Sequence, residues 1–213
     1  AAVQGVMQSK FRNNGQTCVC ANRVYVHSSI VDEFVQKFAE EAKKLTVGFG
    51  LEPETQVGPL IDEQAYIKVE SHIHDAVSKG ANIECGGRRI EDLEDGYFVE
   101  PTVLSNVTED MRIMKEETFG PVAPVITFDD TEDVIERANN TPYGLAAYLF
   151  TTNLKTAVTV SEQLEYGIVG INDGLPAVAQ APFGGFKESG LGREGGHHGI
   201  EEFLEVKYVS IKL

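Results

Sequence analysis

The sequence predicts an α/β fold, a layered sheet with parallel strands, and three observations carry that expectation. Strand-like and helix-like patterns alternate from about residue 22 to residue 172, which implies strand–helix–strand units. The 213 residues suffice for a sizeable core in one large or two small domains. Hydrophobic residues make up 42% and charged residues 24%, the balance of a globular chain rather than a disordered one.

The elements follow in order. AAVQGVMQSK at the start reads as an amphipathic helix and lacks the apolar core of a signal peptide. NRVYVH, residues 22–27, alternates polar and apolar side chains and reads as a strand. Ser29 precedes Asp32 as in a capping box, and Ile30, Phe34, Phe38 and Leu45 follow at near-helical spacing up to Gly48. FGLEPETQVGP is a Gly/Pro loop, and a second helix runs from about Asp62 to Lys79, stopped by Gly80. Strands are predicted near 82–85 and 97–104 and at PVAPVITF, then a helix over 131–139. Gly144–Thr151 and Gly167–Asn172 read as buried strands with a helix between them. From Gly174 to Gly199 the pattern dissolves, and FLEVKYVSIKL ends the chain as a strand with nothing after it to pair with. Such a strand closes the sheet or reaches into a partner subunit.

Composition excludes several function classes. The net charge of −15, with acidic clusters at Glu91–Asp95 and Asp129–Glu136, argues against a nucleic-acid or anionic-membrane surface. No apolar run approaches the roughly 20 residues of a membrane helix. Three cysteines without regular spacing point to a reducing compartment, the cytoplasm.

The strongest chemical signal is Phe11-Arg12-Asn13-Asn14-Gly15-Gln16-Thr17-Cys18. A small polar loop between a helix and a strand is where nucleophiles sit, and backbone N–H groups at such a turn can stabilise a developing oxyanion. A buried structural cysteine is the competing reading. Two other patterns are declined. Gly190–Gly195 fits G-x-G-x-x-G but lacks a preceding strand and an acidic residue about 20 positions on, so it reads as a packing turn. His72, His74, His197 and His198 have no cysteine or carboxylate at zinc-like spacing and read as solvated, so no metal is expected.

FRNNGQTC resembles the active-site cysteine signature of the aldehyde dehydrogenase superfamily, and Val19–Arg23 resembles its succinate-semialdehyde branch. EETFGPV at 116–122, NNTPYGL at 139–145, PFGG at 182–185 and SGLGRE at 189–194 resemble further family motifs in the family's order. The resemblance implies a three-layer, mostly parallel sheet with helices on both faces, residues 1–185 forming the catalytic domain. Residues 186–213 would carry a C-terminal oligomerisation strand, with Arg193 and Glu205 pairing near the interface. It implies that Cys18 attacks an aldehyde, that the thiohemiacetal loses hydride to NAD or NADP, and that water hydrolyses the thioester. Glu117 and Phe119 would contact the nicotinamide ribose, and Phe183 would wall the aldehyde funnel.

Arg12, six positions before the nucleophile, suits the carboxylate of an ω-carboxy aldehyde, since a guanidinium grips carboxylate with two prongs. Leu175-Pro176-Ala177-Val178 stands where that branch often has a Ser, which keeps glutarate and 2-oxoglutarate semialdehyde beside succinate semialdehyde as substrates. The family's general-base Glu and cofactor-binding domain lie upstream of the nucleophile. The chain is therefore expected to be a C-terminal part without that N-terminal domain, inactive or nearly so alone, and a homo-oligomer, dimer or tetramer, in full length. Cys20 is the expected redox partner of Cys18, with Arg12 and Arg23 as neighbouring positive charges. A non-enzymatic redox sensor and a thiol acyltransferase or hydrolase remain as alternatives.

Overall fold

Caps and apolar spacing place the helices in the computed structural model, which describes residues 1–93 and 96–213, so the acidic cluster at Glu91–Asp95 lies partly outside the described residues. Helix α1 (Ala2–Phe11) buries Val6, Ser9, Lys10 and Phe11. Strand β1 (Val24–His27) leads to α2 (Val31–Ala42), which buries Phe34, Val35, Phe38, Ala39 and Ala42 on one stripe. The capping box is not formed. The helix starts one residue late, at an N-cap of Ile30, and Ser29 bonds its hydroxyl to His27 Nδ1 at 2.8 Å instead. Helix α3 (Glu63–Ser78) starts where Asp62 accepts from the Ala65 N–H and stops before Gly80, whose φ of +102° suits glycine.

Strands β2 (Asn82–Cys85), β3 (Thr102–Ser105) and β4 (Val122–Phe128) follow, then α4 (Thr131–Asn139). Asp130 caps α4 by accepting from the N–H groups of Glu132 and Asp133. The chain continues through β5 (Tyr143–Gly144), β6 (Ala146–Leu149), α5 (Leu154–Gln163), β7 (Ile168–Ile171) and β8 (Phe186–Lys187).

The main sheet has the order β1–β4–β3–β2, with β1 and β3 parallel to β4 and β2 antiparallel at one edge. Side chains of β4 alternate between its faces. Ala123 and Val125 join Phe11, Phe34 and Phe38 in one cluster, under α1 and α2. Val122 and Ile126 join Val69, Ile73 and Met111 in the other, under α3. Helices thus cover both faces, and the fold is the predicted three-layer α/β arrangement. Phe38, Met111 and Val103 are fully buried, each contributing roughly 1.5–3 kcal/mol.

Three expectations are corrected. The strands predicted as buried near 144–151 and 167–172 form a two-stranded parallel pair, β6–β7, that is mostly half-buried, because two strands have few neighbours to cover them. Residues 204–213 form no strand and pair with none among the described residues; Val206, Tyr208 and Ile211 are all exposed. Arg193 donates to the carbonyls of Gly185 and Gly192 rather than pairing with Glu205. Gly190–Gly195 is a turn, with positive φ at Gly190, Gly192 and Gly195, as the sequence implied.

Candidate active site

The loop that leads to Cys18 is built from three consecutive left-handed residues: Asn13, Asn14 and Gly15 have φ of 50°, 59° and 71°. Asn and Gly tolerate this region best, which is the physical reason for Asn-Asn-Gly at these positions. Gly15 is also needed for space, since a Cβ there would meet the Gly120 carbonyl oxygen at 2.3 Å. Gln16 then pins the loop to its neighbour, donating to Pro59 O at 3.1 Å and accepting from the Ile61 N–H at 2.9 Å. Cys18 emerges exposed, and its N–H has no acceptor among the described residues. That donor is free to face an oxyanion.

The loop exit is anchored by groups the sequence reading did not single out. The Tyr148 hydroxyl donates to Val19 O at 2.6 Å, and burial pushes its pKa up to about 12. Lys10, wholly buried, sets its ammonium 3.3 Å from Cys20 Sγ. Cys20 therefore faces the interior against Lys10 while Cys18 faces solvent, and both sulfurs are free. Arg23 is not a charge beside the thiol. Its guanidinium donates to the carbonyls of Arg137 and Ala138 at 3.0 and 2.7 Å, at the negative end of α4.

Arg12 is exposed and has no hydrogen bond or ion pair among the described residues. With Ser9, Val19 and Tyr148 it lines a cleft closed by Gly174–Ala177. The stretch at which the family resemblance departs thus sits in the same cleft as Arg12. Close packing puts it there, since a Cβ on Gly174 would meet Gly5 O of α1 at 2.3 Å. Phe183 is half-buried, bridged to Glu194, and does not line this cleft.

The other side of the loop is the segment Glu116–Gly120. Glu116, Glu117 and Phe119 are exposed while Thr118 and Gly120 are buried. Phe119 has φ +51°, a strained backbone for an aromatic residue that costs on the order of 1–3 kcal/mol. Glu117 makes no ion pair among the described residues, whereas Glu116 binds Arg112 through both oxygens, at 3.1 and 3.0 Å. Arg112 first, then His72, holds the Glu116 carboxyl down to a pKa of about 2. His72 is not solvated, as the sequence suggested, but wholly buried, 3.1 Å from Thr118 Oγ1 and 3.2 Å from Glu116 Oε2. Burial lowers its pKa. The spacing of α3 carried no sign of this, because both partners lie about 45 residues away in sequence. His197, His198 and Glu201 also approach within 4.8 Å through the short turn after Gly196, a carboxylate neighbour that sequence spacing did not reveal.

A family model described as the aldehyde dehydrogenase family matches residues 1–209. The chain belongs to that family. It is 52% identical to the succinate-semialdehyde dehydrogenase [NADP(+)] of Escherichia coli, over 100% of this chain and 44% of the relative. It is equally 52% identical to a glutarate-semialdehyde dehydrogenase of Pseudomonas putida, over 100% of this chain and 43% of the relative. The crystal structure of succinate-semialdehyde dehydrogenase from Burkholderia pseudomallei superposes with a TM-score of 0.95 at 52% identity, covering 98% of this chain and 43% of that one. The chain therefore spans less than half the length of the relatives it matches. No helix of the described residues is long and apolar enough to cross a membrane.

Proposed function

We propose that this chain is the nucleophile-bearing, C-terminal part of an NAD(P)-dependent dehydrogenase that oxidises an ω-carboxy aldehyde to the dicarboxylic acid. The observation that carries the substrate class is Arg12, an exposed guanidinium with no hydrogen bond or ion pair among the described residues, in a cleft also lined by Val19, next to Cys18. A guanidinium left free in a site lined with Leu175, Pro176 and Ala177 favours a ligand that brings its own anion. Relatives named for succinate and glutarate semialdehyde support the same class, and the chain length between aldehyde and carboxylate is left to the Gly174–Ala177 wall.

In this reading Cys18 Sγ, as thiolate, bonds to the aldehyde carbon, and its own N–H steadies the resulting oxyanion. A nicotinamide cofactor supplies the hydride acceptor when bound. Glu117, exposed and without an ion pair among the described residues, offers two acceptor oxygens that fit the ribose diol, and the Phe119 ring is exposed close by in the chain. Loss of hydride leaves a thioester on Cys18 for water to cleave. Arg12 holds the far carboxylate throughout, so the reacting carbon stays over Sγ.

The alternatives have less support. No histidine among the described residues hydrogen-bonds Cys18, as an acyltransferase or hydrolase of the thiol class requires. Cys20 keeps Lys10 as its neighbour, and pairing with Cys18 in a redox sensor requires it to leave that contact. The test compares succinate, glutarate and 2-oxoglutarate semialdehyde with uncharged aldehydes of equal length, in the full-length enzyme that carries this sequence. The carboxylated substrates are expected to win in kcat/KM by on the order of a hundredfold. Arg12→Met should erase the margin through KM. An uncharged aldehyde turned over as well as its carboxylated counterpart would end the proposal.

A further inference from the structure

The buried imidazole of α3 has no part in the chemistry just described, yet it bonds the segment that bears both cofactor contacts. His72 reaches Thr118 Oγ1 through Nδ1 and Glu116 Oε2 through Nε2. A carboxylate only accepts, so Nε2 carries the proton and donates to Glu116. Nδ1 is then an acceptor, and the Thr118 hydroxyl donates to it. One neutral ring thus holds two residues of one short segment, those on either side of Glu117.

We propose that His72 is a positioning residue for the nicotinamide cofactor: by tying down buried Thr118 and the carboxylate of Glu116, it fixes Glu117 between them, and Phe119 next to them, in the exposed orientation that faces the ribose. The geometry requires such a tether. Thr118 is buried between exposed Glu117 and Phe119, so anchoring the residues on either side of Glu117 limits the directions its side chain can take. Phe119 sits at φ +51°, and a strained residue persists only where its surroundings over-determine it. His72 supplies one constraint, and Arg112 supplies a second by binding Glu116. Asn22 supplies a third, accepting from the Thr118 N–H at 3.5 Å while donating to Cys20 O at 3.5 Å. A Cβ on Gly120 would meet Val69 of the same helix at 2.5 Å, so α3 braces the segment by packing as well. The proposal rests on the ribose reading of Glu117 and adds a reason for its orientation.

The test is made in the full-length enzyme that carries this sequence, with His72→Gln, His72→Leu, Thr118→Val and Glu117→Gln. Gln can donate and accept as the ring does; Leu fills the space and does neither. His72→Leu and Thr118→Val are expected to raise the KM for the nicotinamide nucleotide by about tenfold, and His72→Gln to restore most of it. The aldehyde KM and the rate at which iodoacetamide labels Cys18 should stay within about twofold, because Arg12 and the nucleophile loop are not touched. Equal losses in cofactor KM, aldehyde KM and labelling would show a merely structural residue and overturn the proposal. So would an unchanged cofactor KM in His72→Leu or, if that variant does not fold, in Thr118→Val. Glu117→Gln separates the two readings. If it leaves the cofactor KM unchanged while His72→Leu raises it, the ribose role of Glu117 fails and the tether, acting through Phe119, stands.

Discussion

Cys18 and Cys85 are the same chemical group in opposite surroundings. Cys18 sits exposed at the tip of a loop held left-handed by Asn13, Asn14 and Gly15. Cys85 is buried on β2, its thiol near Pro101 O, and burial pushes its pKa up. The thiolate is the reactive form, so burial disfavours reaction at Cys85 while access favours Cys18. Alkylation of the folded chain is expected to label Cys18 at least about tenfold faster than Cys85, read by peptide mass spectrometry over time. Comparable rates at the two sites would remove the argument that the loop presents a nucleophile. Asn-Asn-Gly carried part of this in the sequence, because small polar residues before a cysteine signal a turn. That two asparagines join the glycine in positive φ was not legible, since Asn only permits that conformation and the contact with Gly120 selects it.

At the scale of the element, α3 joins the sheet to the Glu116–Gly120 segment through the buried His72. The sign of its pH dependence follows from linkage. His72 has a folded pKa below its ordinary 6.5 because burial disfavours the charged ring. Its stabilising contribution is complete above that value and is lost as pH falls, since the unfolded chain takes up a proton that the folded one resists. Glu116, held down to about 2 from an ordinary 4.5, adds a second loss at more acid pH. Exposure and solvent screening make that second contribution small. Wild-type chain is therefore expected to lose thermal stability between about pH 7 and pH 5 more steeply than His72→Gln. Melting curves of equal slope in both proteins would contradict the assignment. The helix itself was plain from Asp62, the apolar stripe and Gly80, yet its one buried polar side chain reads in sequence like its exposed neighbour His74.

At the scale of the molecule, the open question is what covers residues 204–213. Val206, Tyr208, Val209, Ile211 and Leu213 are all exposed, and no strand among the described residues pairs with them. An extended, alternating, unpaired segment is a template for another chain. It is proposed to add to a sheet of a second subunit. Removing residues 204–213 from the full-length enzyme should lower its assembly state, measured by light scattering on a sizing column. An unchanged oligomer would refute the role.

What the sequence determined by itself was local and periodic. The strand–helix alternation, the helix start near Asp62 and the span 131–139 depend on residues within a few positions of each other, so they can be read directly. The family resemblance came from motifs that are likewise contiguous. Only the tertiary structure decided which distant residues meet. It turned Cys20 toward Lys10, committed Arg23 to the end of α4, brought Tyr148 onto Val19 and Leu175–Ala177 opposite Arg12, and seated His72 against Thr118. Each of those contacts joins residues 10 to about 165 positions apart. No spacing rule reaches that far, because close packing chooses such partners only after the layers have closed around them.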